Sequence, residues 1–326
     1  MAKITVLGAG GWGMALALVA FRNGHTVNIW SPFEKEVKLL LEKRTNERLL
    51  KDIYLPEDIG ITTDLSVGEG SDITIIAVPS IAVRQTARKL KEIQNTGIIV
   101  NVAKGFEEGT LLCLSDVIKE ELPDNELVIL TGPSHAEEVA RRIPTSIVAA
   151  SEKMSAAEKV QELMGNYYMR IYTNTDVIGA EIGGALKNVI AICVGFCNGL
   201  KLGDNTKAAL ITRGLAEMTR LGVSMGAKQI TFAGLTGIGD LVVTCMSEHS
   251  RNNRFGTLVG GGMGVNEALK TVGTVVGYYA ARNAHMLCQK HGVEMPILQE
   301  CYRVLYLGRD VENTVLNLMN RPQRAE

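Results

Sequence analysis

Within residues 178–190 (IGAEIGGALKNVI) apolar side chains recur at helical spacing, and one lysine, Lys187, stands among them. An ammonium group in such a helix needs a partner or a task, because burial penalises its charge. One task is proton transfer to or from an oxygen. Free lysine titrates at about 10.4, so a lysine base requires burial and cationic neighbours that lower this value. Gly183 and Gly184 precede Lys187 by one helical turn and share its face. They leave a bare patch for a flat ring or small substrate, although close packing against another helix accounts for both glycines equally well. Residues 237–244 (GIGDLVVT) predict a helix with Asp240 in its first turn and Thr244 on the same face. A buried carboxylate calls for a cationic partner, and Lys187 is the candidate. Ser250, Arg251 and Asn252 then place a guanidinium fork between two small polar groups, which suits a phosphate; a charged surface turn has the same composition.

The remaining chemistry-bearing segments follow strand patterns. An apolar run at residues 4–7 leads into Gly8-Ala9-Gly10-Gly11-Trp12-Gly13 and an Ala- and Leu-rich helical stretch. In a GxGxxG loop so placed, Gly8 permits the tight turn, Gly10 lets a pyrophosphate reach the backbone, and Gly13 lets the helix pack on the strand. This predicts a dinucleotide site. NAD-binding folds usually end their second strand in an acid that accepts from the ribose 2′-hydroxyl. Here that end reads Asn28-Ile29-Trp30-Ser31-Pro32, with no acid, and no arginine to meet a 2′-phosphate. The missing acid also disfavours FAD. Lys35 is the nearest cation and reads equally well as a solvated helix residue; the expected coenzyme is NAD or NADP, with NADP slightly favoured. Three other strand ends carry Val78-Pro79-Ser80, Ala103-Lys104-Gly105 and Thr131-Gly132-Pro133-Ser134-His135-Ala136. Ligands of open α/β sheets bind beyond such ends. Lys104 there suits a phosphate or a polarised carbonyl, and Gly132 and Ser134 could offer an N–H and a hydroxyl to an anion. A surface lysine and an ordinary turn are the alternatives.

Two kinds of scaffold are needed to position these groups. Candidate strands at residues 4–7, 27–30, 73–78, 98–102, 127–130 and 146–149 are near-continuous apolar runs separated by helical patterns. That is the signature of a doubly wound, mainly parallel sheet covered by helices on both faces. From about Val177 the strand signal ends and glycine-rich helical periods take over. The expected fold is α/β, with an N-terminal Rossmann-type domain (residues 1–178) followed by an all-helical C-terminal domain (residues 179–326). A length of 326 residues fits two domains. Half of the 34 glycines fall in residues 179–264, so close approach is required there. Lys and Arg (34) nearly cancel Asp and Glu (35), which argues against a nucleic-acid binder or a polybasic membrane protein. No continuous apolar run reaches the roughly 18 residues of a membrane span, and no secretory signal precedes the first strand, so no stable membrane insertion is expected. The six cysteines form no CxxC pair and read as reduced thiols of a cytoplasmic protein, with Cys193 and Cys197 in a helix core. Cys245 and His249 share a helical face, but no ligand set has zinc spacing, and no metal site is expected.

Taken together and in order, GAGGWG, YLP at residues 54–56, VPS, AKG, TGPSHAEEVA, GGALKNVIAI, LGDNTKAALITRGLAEM, GLTGIGDLVVT and SRNNRFG resemble the bacterial NAD(P)-dependent glycerol-3-phosphate dehydrogenase family. The resemblance spans nearly the whole chain, and residues 183–256 are specific to that family. It implies hydride transfer between dihydroxyacetone phosphate and sn-glycerol 3-phosphate, supplying phospholipid synthesis in the cytoplasm. By motif, Lys187 resembles the family's general acid/base, with Asp240 and Thr244 beside it. Lys104, Gly132, Ser134, Asn188, Asp240, Ser250, Arg251 and Asn252 resemble its substrate positions. Trp12, Lys104, Ala136 and Arg251 resemble its coenzyme contacts, alongside Gly8, Gly10, Gly11 and Gly13 of the loop. The apolar faces of the helical domain make a homodimer the expected assembly. Three departures from the family pattern stand out, and the last of them bears on nucleotide discrimination and not on the chemistry. The family usually has Phe at His135 and a basic residue near Pro32, and a VEGV-like string where residues 271–277 read TVGTVVG, so Gly273 replaces a coenzyme-side Glu. Other readings are a hydroxyacid or ketopantoate-type reductase, which needs no phosphate fork, and a nucleotide sensor without turnover, which does not need Lys187.

Overall fold

The computed structural model describes residues 1–93, 95, 97–247 and 250–323. The chain divides into two compact units, Met1–Glu181 and Ile182–Glu326, and the division falls inside one helix, Val177–Gly199.

The first unit is built on one sheet of eight strands: β1 (Lys3–Leu7), β2 (Thr26–Trp30), β3 (Gly60–Thr62), β4 (Ile73–Ile76), β5 (Ile98–Asn101), β6 (Leu127–Thr131), β7 (Thr145–Ala150) and β8 (Met169–Asn174). Their order is β3-β2-β1-β4-β5-β6-β7-β8, and only the β6/β7 pairing is antiparallel. The central strands are apolar throughout because helices cover both faces; Ile4, Val6, Ile73, Ile75, Val100 and Val128 are buried with Met14 to Ala20 of the Gly11–Arg22 helix. Two strands lie outside the sequence expectation. β3 has only three residues, too few for a pattern. β8 is an edge strand whose residues alternate between buried and exposed over Met169 to Tyr172, so it lacks the continuous apolar run of its neighbours. Since β1 to β6 run parallel, their carboxyl ends lie along one edge. The strand order reverses between β1 and β4, where Leu7 pairs with Ile76, and that switch point is where open α/β sheets bind ligands.

After Asn174 every described element is helical. The Val177–Gly199 helix is the spine of the second unit, and glycines let other backbones press on it. A Cβ on Gly183 would strike the Thr236 carbonyl oxygen, and one on Gly256 would strike that of Ile192. The face of Gly183 is therefore filled by backbone, and the bare patch expected beside Lys187 is not present at that position. Gly260 ends the Arg251–Gly260 helix, and a Cβ there would lie 2.5 Å from the Phe196 carbonyl oxygen. A further correction concerns membrane spans: Val177–Gly199 and Gln229–Met246 are both long and apolar enough by length and composition to cross one. In Val177–Gly199 the residues Glu181, Lys187 and Asn188 interrupt the apolar runs, whereas the average over the helix tolerates them. For Val177–Gly199, 94% of the 18-residue stretch that meets this criterion is buried inside the protein, as in the core helix of a globular domain.

Near the start of that helix Glu181 accepts hydrogen bonds from the N–H and the hydroxyl of Ser115. Burial pushes its carboxyl up to about 7, against which the Ser115 donors work. The folded state therefore holds a proton that the unfolded chain, with a glutamate at about 4.3, releases earlier. This contribution to stability is complete below about pH 4.3 and is lost as the pH rises through 7. Glu217, which accepts from the N–H groups of Ile297 and Leu298, is pushed by burial in the same direction, to about 7. The thermal midpoint should fall between about pH 5 and pH 8, and Glu181→Gln should flatten that fall. An undiminished fall in the variant would remove Glu181 as its source.

Candidate active site

The glycine loop shows three distinct constraints. Gly8 has φ +124°, and a Cβ there would stand 2.7 Å from the Ala77 carbonyl oxygen across the β1/β4 switch point. A Cβ on Gly13 would collide with the Gly8 carbonyl oxygen, so helix and loop touch backbone to backbone. Gly10 is exposed, and among the described residues no atom beyond its chain neighbours lies within 4 Å of its Cβ position; it caps the Gly11–Arg22 helix, whose first turn carries no acid. The open side of Gly10 and the free N–H groups of a helix start form a cradle for an anionic pyrophosphate, so these residues fit a dinucleotide. Gly11 is half-buried, and so is Trp12, which packs against the core of the unit.

At the end of β5 the Asn101 side chain accepts from the Ala103 N–H (3.1 Å) and donates to the Ala103 carbonyl (3.2 Å), fixing the backbone that presents the half-buried Lys104. Asn101 was not singled out from sequence; a lone Asn closing an apolar strand was the available signal. The Cβ position of Gly105 lies 3.6 Å from the Ser80 hydroxyl, so the segments at residues 78–80 and 103–105 adjoin. Beyond Lys104, Glu107 accepts from Arg84 through Nε (2.6 Å) and Nη2 (2.8 Å), which clamps the following loop. After β6, Gly132 has φ +139° and its Cβ position lies 3.1 Å from the Ile147 Cα. The Ser134 hydroxyl donates to the Gly132 carbonyl (2.9 Å), and His135 and Ala136 open a short helix, Ala136–Ala140.

In the second unit the structure brings Lys187, Asp240 and Thr244 together. Lys187 Nζ forms an ion pair with Asp240 and donates to Thr244 Oγ1 at 2.8 Å; the Thr244 hydroxyl donates to the Asp240 carbonyl at 2.6 Å. All three are buried, at 6%, 1% and 5% exposure respectively. The local sequence explains the meeting. A single turn of π-helix, Leu235–Gly239, leads into the Asp240–Met246 helix. Gly183 lets the lysine-bearing helix press on Thr236 in that turn, which draws the carboxylate to the amine one turn further along. A buried amine held by a carboxylate and a hydroxyl is preorganised to exchange a proton with a bound oxygen.

The neighbouring polar residues have packing duties. Asn252 donates to Asn188 (2.9 Å) and accepts from the Gly277 N–H (2.9 Å), and Asn188 donates to the Gly184 carbonyl (3.3 Å), so three helices are tied together. Ser250 caps the Arg251–Gly260 helix by accepting from the Asn253 N–H (3.2 Å), and Arg251 lies exposed in the first turn. The three residues read as a phosphate fork or a charged turn thus form a capped helix start. Gly273 has φ +85° and ends the Val265–Val272 helix, a conformation that would strain a glutamate. Burial pushes the Cys245 thiol up to about 12, with Lys187 pulling the other way, so it is not a thiolate at neutral pH. Its expected helical neighbour His249 lies outside the described residues.

Comparison with known proteins agrees across the whole chain. Residues 3–157 match the family model described as NAD-dependent glycerol-3-phosphate dehydrogenase N-terminus, and residues 176–316 match the one for its C-terminus. A glycerol-3-phosphate dehydrogenase [NAD(P)+] of Clostridium perfringens (strain SM101 / Type A) is 48% identical over 329 residues, covering 100% of this chain and 99% of that protein. One from Fusobacterium nucleatum is likewise 48% identical, over 331 residues, with 100% and 99% covered. The crystal structure of glycerol-3-phosphate dehydrogenase from Coxiella burnetii superimposes with a TM-score of 0.94 at 38% identity, covering 98% of this chain and 99% of that one. Both halves match in chain order, with the glycine loop in the first and the Lys187 cluster in the second, and the chain belongs to the NAD-dependent glycerol-3-phosphate dehydrogenase family.

Proposed function

We infer that the protein reduces dihydroxyacetone phosphate to sn-glycerol 3-phosphate with NADH or NADPH, and catalyses the reverse, supplying the backbone of glycerophospholipids. The observation that carries this reading is the buried Lys187–Asp240–Thr244 cluster in a chain of this family. The coenzyme supplies a hydride to C2 of the ketone. Lys187, as ammonium, gives its proton to the C2 oxygen, so one hydride and one proton complete the secondary alcohol. In the reverse direction the neutral amine takes the hydroxyl proton. Asp240 and Thr244 hold Nζ in place. We assign the coenzyme to Gly8, Gly10, Gly11, Trp12, Gly13 and Ala136, with Lys104 and Arg251 contributing. The substrate is assigned to Lys104, Gly132, Ser134, Asn188, Asp240, Ser250, Arg251 and Asn252. Arg251 is our choice for the phosphate, since its guanidinium is exposed while Ser250 and Asn252 hold the backbone around it.

We also assign the protein to the cytoplasm, which six buried free thiols support, and to a homodimer. The test of the function is chemical: incubation with dihydroxyacetone phosphate and reduced coenzyme should yield sn-glycerol 3-phosphate. Reduction of ketopantoate or another 2-oxo acid in its place would favour the hydroxyacid reductase reading.

A further inference from the structure

The second strand ends without the acid that NAD-binding folds use, yet a carboxylate reaches that point from the next helix. The Gly8 N–H donates to the Trp30 carbonyl (2.8 Å), so the end of β2 lies directly beside the glycine loop. Ser31 follows, buried, its N–H donating to the Thr62 carbonyl (3.1 Å). Its hydroxyl donates to Glu36 Oε2 at 2.7 Å and accepts from the Phe33 N–H at 3.3 Å. Glu36 belongs to the first turn of the Glu34–Lys43 helix and is half-buried. Among the described residues its other oxygen has no hydrogen-bond or ion-pair partner, so it can accept from a ligand. No ion pair joins it to Lys35, which is exposed, to Lys38, which pairs with Glu42 (3.9 Å), or to Lys89, whose ammonium lies over the Trp30 ring.

We propose that Glu36, held by Ser31, is the residue that selects NAD(H) over NADP(H), its carboxylate accepting from the adenosine ribose hydroxyl and repelling a 2′-phosphate. The proposal rests on the glycine loop being the dinucleotide site, and it reverses the lean toward NADP that Lys35 suggested. Titration calorimetry with two coenzyme fragments, ADP-ribose and 2′-phospho-ADP-ribose, tests it without turnover. The wild-type protein should bind ADP-ribose at least about tenfold more tightly, and Glu36→Gln, with its thermal midpoint retained, should bring the two within about threefold. Equal or tighter binding of the 2′-phosphorylated fragment by the wild type, or an unchanged ratio in Glu36→Gln, overturns the proposal. Failure of both fragments to bind would instead overturn the dinucleotide site, and the proposal with it.

Discussion

Replacing Lys187 by arginine should lower kcat by about 1,000-fold while coenzyme affinity stays within about threefold of the wild type. Arginine keeps the positive charge against Asp240, so the carboxylate is not left buried and alone, a loss that costs about 3–5 kcal/mol when a buried pair is broken. A guanidinium is effectively never neutral and cannot take a proton from a hydroxyl, and it is a weaker acid than an ammonium toward an alkoxide. Charge pairing and proton transfer are thereby separated. Lys187→Ala does not separate them, because it strands Asp240 at 1% exposure. Coenzyme fluorescence titration, a thermal midpoint and kcat in both directions make the test complete. A kcat within about tenfold of the wild type in a folded Lys187→Arg protein would remove Lys187 from proton transfer.

Gly10→Val should leave the fold intact and weaken coenzyme binding by about 100-fold. Among the described residues nothing beyond its chain neighbours lies within 4 Å of the Gly10 Cβ position, and its φ of −71° and ψ of 169° are extended backbone that valine readily adopts. The added side chain therefore costs little until a pyrophosphate approaches the helix start, where it occupies the space that the anion needs. Gly8→Ala should lose both properties, since its φ of +124° strains any side chain and the Ala77 carbonyl oxygen stands 2.7 Å away. The contrast between the two variants, in calorimetric coenzyme affinity and thermal midpoint, locates the ligand. Normal affinity in Gly10→Val would place the pyrophosphate elsewhere.

Legibility in the sequence followed the range of the interaction. The central strands are visible because helices on both faces demand continuous apolar runs, and β8 is not, because an edge strand alternates. Lys187 stands out because an ammonium in an apolar helix has to be matched, and Asp240 is a candidate for the same reason. The interactions around them were hidden. That Gly183 lies on the face of Lys187 follows from helical spacing, but only the folded chain reveals that the Thr236 carbonyl fills the space. Ser250, Arg251 and Asn252 suggest an anion fork by composition, whereas Ser250 caps a helix and Asn252 joins Asn188 to the Gly277 backbone, bonds spanning 64 and 25 residues. Glu36 is not legible in the sequence, because it lies beyond the strand end and is brought there from the next helix by a side-chain hydrogen bond.

The claim that all of this serves is that a phosphorylated ketone is reduced at a buried lysine. It is tested most directly by the rate of NADH or NADPH oxidation with dihydroxyacetone phosphate against dihydroxyacetone. The carbonyl undergoing reaction is the same in both, and only the phosphate differs. The account predicts kcat/KM at least about 1,000-fold higher for the phosphorylated ketone, because the charge-assisted contacts to the phosphate are made only with it. Comparable values for the two ketones, or no oxidation of either coenzyme with dihydroxyacetone phosphate, would contradict it.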